Sequence, residues 1–96
     1  MDRVKFNSLA SDVAKAFGTD KEVLFLRSKQ PHIVHPRQVL WLTAKKNGMR
    51  LCLIENFTKE NGLDVCHSTI IRGIRKAEEL VDSDLRVYDL VEELSS

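Results

Sequence analysis

Several features that would assign this chain to a common protein class are missing from its 96 residues. No apolar run approaches the roughly 18 residues of a membrane-spanning helix, and residues 1–6 lead into a polar stretch without the apolar core of a secretory signal. The two cysteines, Cys52 and Cys66, lie far apart and outside any Cys-x-x-Cys spacing, so we expect reduced thiols and no disulfide scaffold. These absences favour a cytoplasmic protein without membrane contact.

What remains is the composition of one small folded domain, residues 1–96. Hydrophobic residues make up 43% of the chain, too many for a disordered segment, and charged residues make up 30%, which favours solubility. A chain of this length supports a single modest core. Because no Gly-x-x-x-x-Gly-Lys-Ser/Thr loop occurs, we expect no bound nucleotide.

The net charge of +1 conceals a strong polarity along the chain. No acidic residue occurs between Glu22 and Glu55, whereas six basic residues do: Arg27, Lys29, Arg37, Lys45, Lys46 and Arg50. From Glu78 onward the sequence carries seven acidic residues against a single arginine, Arg86. A basic middle attracts a polyanion such as a phosphate backbone and an acidic end repels it, although coincidental clustering would give the same pattern.

Hydrophobic periodicity predicts an all-α domain, a bundle of about six helices with no internal repeat or linker. The apolar stripe of the first helix includes Phe17, and Trp41 is large enough to anchor the third helix in the core. The predicted helices cover residues 8–17, 20–27, 36–47, 49–57, 66–81 and 84–94.

Local signals place several of the helix boundaries. Thr19 and Glu22 have the spacing of a capping box at the start of the second helix, for which a buried strand is a minor alternative. Pro36 favours a third helix that begins there, because its missing N–H would be unpaired in a first turn. Residues 28–35 before it are therefore predicted as a loop, which is basic. Asp64 is a candidate N-cap for the fifth helix.

The fifth predicted helix has two faces of different character. Its apolar stripe consists of Ile70, Ile71, Ile74, Ala77 and Val81. The other side presents Ser68, Thr69, Arg72, Arg75 and Lys76. Short hydrogen-bonding side chains followed by cations suit a helix whose N-terminus enters a DNA major groove while its later turns meet phosphates. An ordinary amphipathic helix with a solvated basic face is the alternative.

Two motifs in this order resemble those of a known family, the C-terminal DNA-binding domain of the bacterial replication initiator DnaA. The motifs are Pro36-Arg37-Gln38 with Ala44-Lys45 on one helix, then His67-Ser68-Thr69-Ile70 with Arg75-Lys76 on another. The resemblance covers nearly the whole chain and implies a helix-turn-helix fold whose recognition helix reads bases in the major groove. It also suggests a short stand-alone relative or an excised domain.

The resemblance implies a role for each matching residue. His67, Ser68 and Thr69 fall in the signature that reads bases, and His35 stands where the family sends an arginine into the minor groove. The candidate backbone contacts, including the basic residues of the predicted loop and helix, are Lys29, Arg37, Lys45, Arg72, Arg75 and Lys76.

The sequence departs from the family's pattern in two places. Val65 and Cys66 stand where the signature, usually Arg-Asp-His-Thr-Thr-Val, has arginine and aspartate. Residues 58–66, which precede the signature histidine, also form a longer segment than their counterpart in the family. We therefore expect a helix-turn-helix with an enlarged turn and fewer donors for reading bases.

Other chemistry finds little support in the sequence. His32 and His35, with Cys52 or Cys66, lack the ligand spacing of a zinc site. Cys66 and His67 point about 100° apart on a helix, which does not suit a nucleophile and its base. We therefore expect no metal, no cofactor and no catalysis.

The hypothesis from the sequence is double-stranded DNA binding at the nucleoid that regulates replication initiation or transcription. DNA is the expected partner, with replication or transcription proteins as further candidates. The alternative is a protein-interaction adaptor that keeps the fold and has lost specific DNA binding.

Overall fold

The computed structural model describes residues 2–95, which form six helices and contain no strand. The helices are α1 (Asp2–Ala16), α2 (Lys21–Leu24), α3 (Pro31–Lys46), α4 (Leu51–Glu60), α5 (His67–Ser83) and α6 (Leu85–Ser95). The prediction of an all-α domain with about six helices is confirmed. Within residues 2–95, no helix combines the length and the apolar character needed to span a bilayer.

The core is organised around α3, which contacts each of the other five helices. Six consecutive side chains of α3, residues 39–44, are buried, as expected for a helix that is covered on all sides. Trp41 is the largest of them, and its indole Nε1 donates a hydrogen bond to Thr58 Oγ1 of α4 at 3.1 Å. The anchoring role predicted for Trp41 is therefore confirmed, with its single polar group satisfied.

Gly73 allows α5 to lie directly against Trp41. A Cβ atom at this position would lie 2.6 Å from both Cε3 and Cζ3 of the indole, well inside van der Waals contact. The buried residues of α5 are Ile70, Gly73, Ile74 and Ala77. Ile71 and Val81, also predicted on the apolar stripe, are half-buried at its edges.

The end of α4 is fixed by a Schellman motif that leads into the connection to α5. Gly62 N–H donates to the Lys59 carbonyl at 2.9 Å, and Leu63 N–H donates to the Thr58 carbonyl at 3.2 Å. Gly62 has a φ angle of +103°, a conformation that residues with a Cβ rarely adopt. Leu63 then turns into the core, which anchors this connection.

The capping box predicted at Thr19 and Glu22 does not form. The N-cap of α2 is Asp20, no side chain caps the helix, and the helix is a single turn. Thr19 N–H instead donates to the Ala14 carbonyl at 2.9 Å within the C-terminal motif of α1, so Thr19 is not placed to cap α2. Phe17, predicted on the core stripe, lies at the same helix end and is exposed.

The third helix begins at Pro31 and not at Pro36, so most of the predicted loop is helical. Pro31 occupies the N-terminal position that favours proline, and the N–H groups of Ile33 and Val34 both pair with the Gln30 carbonyl. Pro36 lies inside the helix, where it removes a backbone donor. Its ring is buried in the core, and this packing offsets the lost hydrogen bond.

The enlarged turn predicted at residues 58–66 is shorter in the structure. The helix α4 continues through Glu60, so only residues 61–66 link α4 to α5. The N-cap of α5 is Cys66 and not Asp64. Residues 58–60 therefore belong to α4, where Thr58 is buried and accepts the hydrogen bond from Trp41.

Candidate nucleic-acid interface

The first three turns of α5 present a basic surface that contains no acidic residue. Arg72, Arg75 and Lys76 are all exposed. The acidic residues of α5 come later, at Glu78, Glu79 and Asp82. This helix therefore repeats, on a smaller scale, the charge polarity of the whole chain, and its N-terminal part is the end that suits a polyanion.

Two adjoining grooves, of about 370 and 270 Å³, run between α3 and α5. Lys29 and His35 line the first, Thr69 and Arg72 line the second, and Lys76 lines both. We call this surface the α3–α5 groove. Arg37 also lines the second, so the structure brings six of the predicted site residues to one place, although three separate parts of the chain supply them. One acidic residue, Glu79, lines the first.

His67 lies on the first turn of α5 beside a carboxylate that the sequence did not indicate. Its Nδ1 is 3.5 Å from Glu55 Oε1 of α4. The other oxygen of that carboxylate, Oε2, is 3.2 Å from Lys59 Nζ, and Lys59 Nζ is 3.8 Å from Asp64 Oδ1. No spacing in the sequence could reveal the contact between Glu55 and His67, because it depends on how α4 meets α5.

The hydroxyl groups of Ser68 and Thr69 converge on the thiol of Cys66. Cys66 Sγ lies 3.1 Å from Ser68 Oγ and 3.2 Å from Thr69 Oγ1. The hydrogen bond with Ser68, and next the one with Thr69, lowers the pKa of Cys66 to about 6. A thiolate therefore stands at the N-terminus of α5 at neutral pH, where the helix dipole favours negative charge. The sequence suggested only a small residue here.

Arg37 is buried, which argues against its predicted role as a phosphate contact. Its Nε donates to the Leu24 carbonyl at 2.7 Å, and its Nη2 donates to the Leu26 carbonyl. The side chain is only 7% exposed, and this burial lowers the pKa of Arg37 below its usual value. The guanidinium group therefore closes the connection between α2 and α3, from which Lys29 reaches the α3–α5 groove.

Lys45 is exposed on the last turn of α3 and lines neither part of the groove. The helical rise separates it from His35 by about 15 Å along the axis. A duplex in the α3–α5 groove would have to extend past the end of α3 to reach it. Its role as a phosphate contact stays a prediction.

Candidate metal ligands are not assembled into a cluster in the described part of the chain. Cys52 and Cys66 are both free thiols with exposed side chains. Across residues 2–95, no group of three or more histidine, cysteine, aspartate and glutamate side chains is arranged to hold a metal ion.

The chain is similar to one segment of a known bacterial protein from several organisms. The chain is 32% identical over 92 residues to the chromosomal replication initiator protein DnaA of Rhodopseudomonas palustris strain BisB5 and of Bradyrhizobium sp. strain ORS 278, which covers 96% of the chain and 19% of each relative. It is 32% identical over 90 residues to the same protein of Nitrobacter hamburgensis, which covers 94% of the chain and 18% of the relative.

These similarities concern one part of a longer protein. The chain spans about a fifth of the length of the relatives that it matches. No protein-family model and no solved structure matches the chain. The resemblance predicted from the sequence is nevertheless confirmed: over nearly its whole length, this chain is similar to one segment of the chromosomal replication initiator protein DnaA.

Proposed function

We propose that this chain is a double-stranded DNA-binding domain related to replication initiation. In this proposal α4, α5 and their connection form a helix-turn-helix, and the first turns of α5 enter the major groove. The observation that carries the proposal is the α3–α5 groove, where cations from the α2–α3 connection and from α5 converge. Such a surface positions a protein on the phosphate backbone while a helix N-terminus reaches the bases.

The proposed contacts divide between bases and phosphates. His67 and Ser68 are exposed on the first turn of α5 and Thr69 is half-buried there, so these three are the proposed base contacts. The hydroxyl groups of Ser68 and Thr69 donate to the Cys66 thiolate, so each can still accept a hydrogen bond from an amino group on a base edge. The threonine methyl can meet the methyl of thymine. The proposed phosphate contacts are Lys29, Lys45, Arg72, Arg75 and Lys76. His35, in the first part of the groove, is proposed to lie near the minor groove.

The biological setting that we propose is the regulation of replication initiation or transcription on chromosomal DNA. Its support is the name shared by the relatives, chromosomal replication initiator protein DnaA. The proposal is one of binding and assigns no catalytic step to any residue.

Equilibrium binding to a pool of random duplexes, measured by fluorescence anisotropy over a salt series, tests the DNA proposal. Each phosphate contact that is removed should reduce the slope of log affinity against log salt by about one unit. We expect this reduction for Arg72→Ala and for Lys76→Ala. Lys15→Ala, a charge loss on the exposed last turn of α1, is the matched control and should leave the slope unchanged. Wild-type slopes in both groove variants would contradict the proposed docking.

A feature of α6 favours a second function, the binding of another protein. Leu85 is 79% exposed and Tyr88 is 44% exposed, and the acidic residues Asp89 and Glu92 are exposed on the same side of the helix. A surface that is both apolar and acidic suits a protein partner better than a polyanion. A gel shift with pooled random duplexes separates the two functions, because a pure adaptor would retain no duplex even at low salt.

A further inference from the structure

The carboxylate of Glu55 is shared between two partners at the start of α5. Oε1 faces His67 Nδ1 at 3.5 Å, and Oε2 faces Lys59 Nζ at 3.2 Å. The side chain of Glu55 is 24% exposed, whereas that of His67 is 52% exposed. The carboxylate is thus held by Lys59 on one side and turned toward one nitrogen of an accessible imidazole on the other.

We infer that Glu55 is a positioning residue that decides which ring nitrogen of His67 carries the proton, and thereby which bases the ring can read. The inference rests on the proposed function, in which His67 contacts a base. A carboxylate only accepts hydrogen bonds, so a neutral imidazole beside it carries its proton on Nδ1. Nε2 is then left as an acceptor.

An acceptor at Nε2 discriminates among base edges in the major groove. Adenine N6 and cytosine N4 present amino donors, whereas guanine N7 and O6 and thymine O4 only accept. With Glu55 in place, His67 therefore prefers adenine or cytosine at the base that it contacts. The opposite tautomer, with the proton on Nε2, can donate to guanine, to thymine or to adenine N7, but it finds no acceptor on cytosine.

The substitution Glu55→Gln tests this inference with a side chain of nearly the same shape. Lys59 can only donate hydrogen bonds, so it selects the amide oxygen of the new glutamine and leaves the amide NH₂ toward His67 Nδ1. The ring then accepts at Nδ1 and carries its proton on Nε2. The variant is therefore expected to reverse the tautomer of His67, which simple loss of a contact would not do.

Glu60→Gln is the matched control, because it makes the same chemical change on the same helix. The Glu60 carboxylate faces α1 and accepts two hydrogen bonds from Arg3, at 2.9 and 3.0 Å. The Glu60→Gln variant therefore shows the effect of losing one negative charge from α4 without a change beside His67.

The first measurement is made on the free protein by ¹⁵N NMR of the histidine rings at pH 8, above the range in which histidine side chains ordinarily titrate. A third variant, His67→Gln, identifies the signals of His67 among the three histidines of the chain. We expect the proton on Nδ1 in the wild type and in Glu60→Gln, and on Nε2 in Glu55→Gln. The same tautomer in the wild type and in Glu55→Gln would overturn the inference.

The second measurement is a selection of bound duplexes from a random library. In Glu55→Gln, one position of the selected sequence should lose cytosine and gain guanine or thymine, with a change in the base ratio of about fivefold for one hydrogen bond. Glu60→Gln should select the wild-type sequence. A reversed tautomer with an unchanged selected sequence would overturn the link to specificity. Failure of the wild type to retain any duplex would refute the proposed function instead, and the NMR result would still decide the role of Glu55.

Discussion

At the start of α5, Cys66 adds a negative charge that could not be predicted from the sequence. It lies at the end of the helix that we propose reads the bases. Cys66 is exposed, occupies the N-cap position of α5 and forms hydrogen bonds through its sulfur with the hydroxyl groups of Ser68 and Thr69. The lowered pKa makes it a thiolate at neutral pH. The N-cap position of α5 therefore carries a negative charge next to the proposed base contacts.

The thiolate of Cys66 should make the unfolding free energy depend on pH. The pKa of Cys66 is about 6 in the folded chain, below its ordinary value of 9.0. A lowered pKa means that the ionised group stabilises the fold fully above pH 9, and that this contribution is lost as the pH falls toward 6. The difference in unfolding free energy between the wild type and Cys66→Ser, measured in urea, should therefore grow from pH 6 to pH 9. Parallel profiles for the two proteins would contradict this assignment.

We predict that a substitution of Arg37 changes the stability of the fold but not the binding of DNA. Its guanidinium group satisfies carbonyl groups of Leu24 and Leu26 in a buried position, and hydrogen bonds to a charged group contribute about 1.5–3 kcal/mol. Arg37→Ala should therefore lower the unfolding free energy by about 3 kcal/mol. The salt slope of duplex binding, measured where the variant is still folded, should stay at the wild-type value. If the variant had normal stability and a reduced salt slope, the result would support the role of Arg37 as a phosphate contact, which the structure argues against.

At the scale of helices, the position of α5 depends on one close contact, that of Gly73 with Trp41. A methyl group at Gly73 would overlap the indole, and the indole is held in place by burial and by its hydrogen bond to Thr58. The helix that we propose as the DNA reader is thus seated on the most central side chain of the core. Any shift of α5 away from Trp41 also moves the α3–α5 groove.

Gly73→Ala should destabilise the fold although alanine favours helices. Overpacking in a well-filled core costs about 1–3 kcal/mol, whereas the gain in helix propensity is about 1 kcal/mol. We expect a lower urea midpoint and a changed Trp41 fluorescence maximum in the folded state. Glu79→Ala, on the exposed face of the same helix, is the control for propensity and should show neither change. An increase in stability for Gly73→Ala would mean that α5 does not lie this close to Trp41.

The helices themselves could largely be predicted from the sequence, because apolar periodicity and the glycines that end helices are local signals. Gly62, for example, takes a backbone conformation that its sequence neighbourhood already suggests as a turn. The starts of helices were harder to place. Pro31 and Pro36 are both compatible with a first helical turn, and only core packing shows that Pro36 lies inside α3. The pairing of Glu55 with His67 and the burial of Arg37 depend on tertiary contacts and left no sequence signal.

On the scale of the whole molecule, the basic and acidic parts of the sequence meet along α5. Glu79 lines the α3–α5 groove with Lys76, and Glu78 and Asp82 line a second cavity with Lys46. The molecule measures 30 × 29 × 24 Å, which exceeds the Debye length of about 8 Å at physiological salt. Exposed charges farther than one Debye length from the α3–α5 groove are therefore screened from a duplex there under those conditions. The acidic end can coexist with DNA binding, and the exposed apolar side chains of α6 remain available to a protein partner.

The central claim, that DNA lies across α5 and the α3–α5 groove, is tested most directly by titrating the ¹⁵N-labelled protein with a short duplex and mapping the amide shifts. We predict shifts at residues 67–76 and 29–35 that disappear at high salt, with residues 85–95 of α6 unaffected. Shifts concentrated on α6, or no shift at any duplex concentration at low salt, would contradict the account.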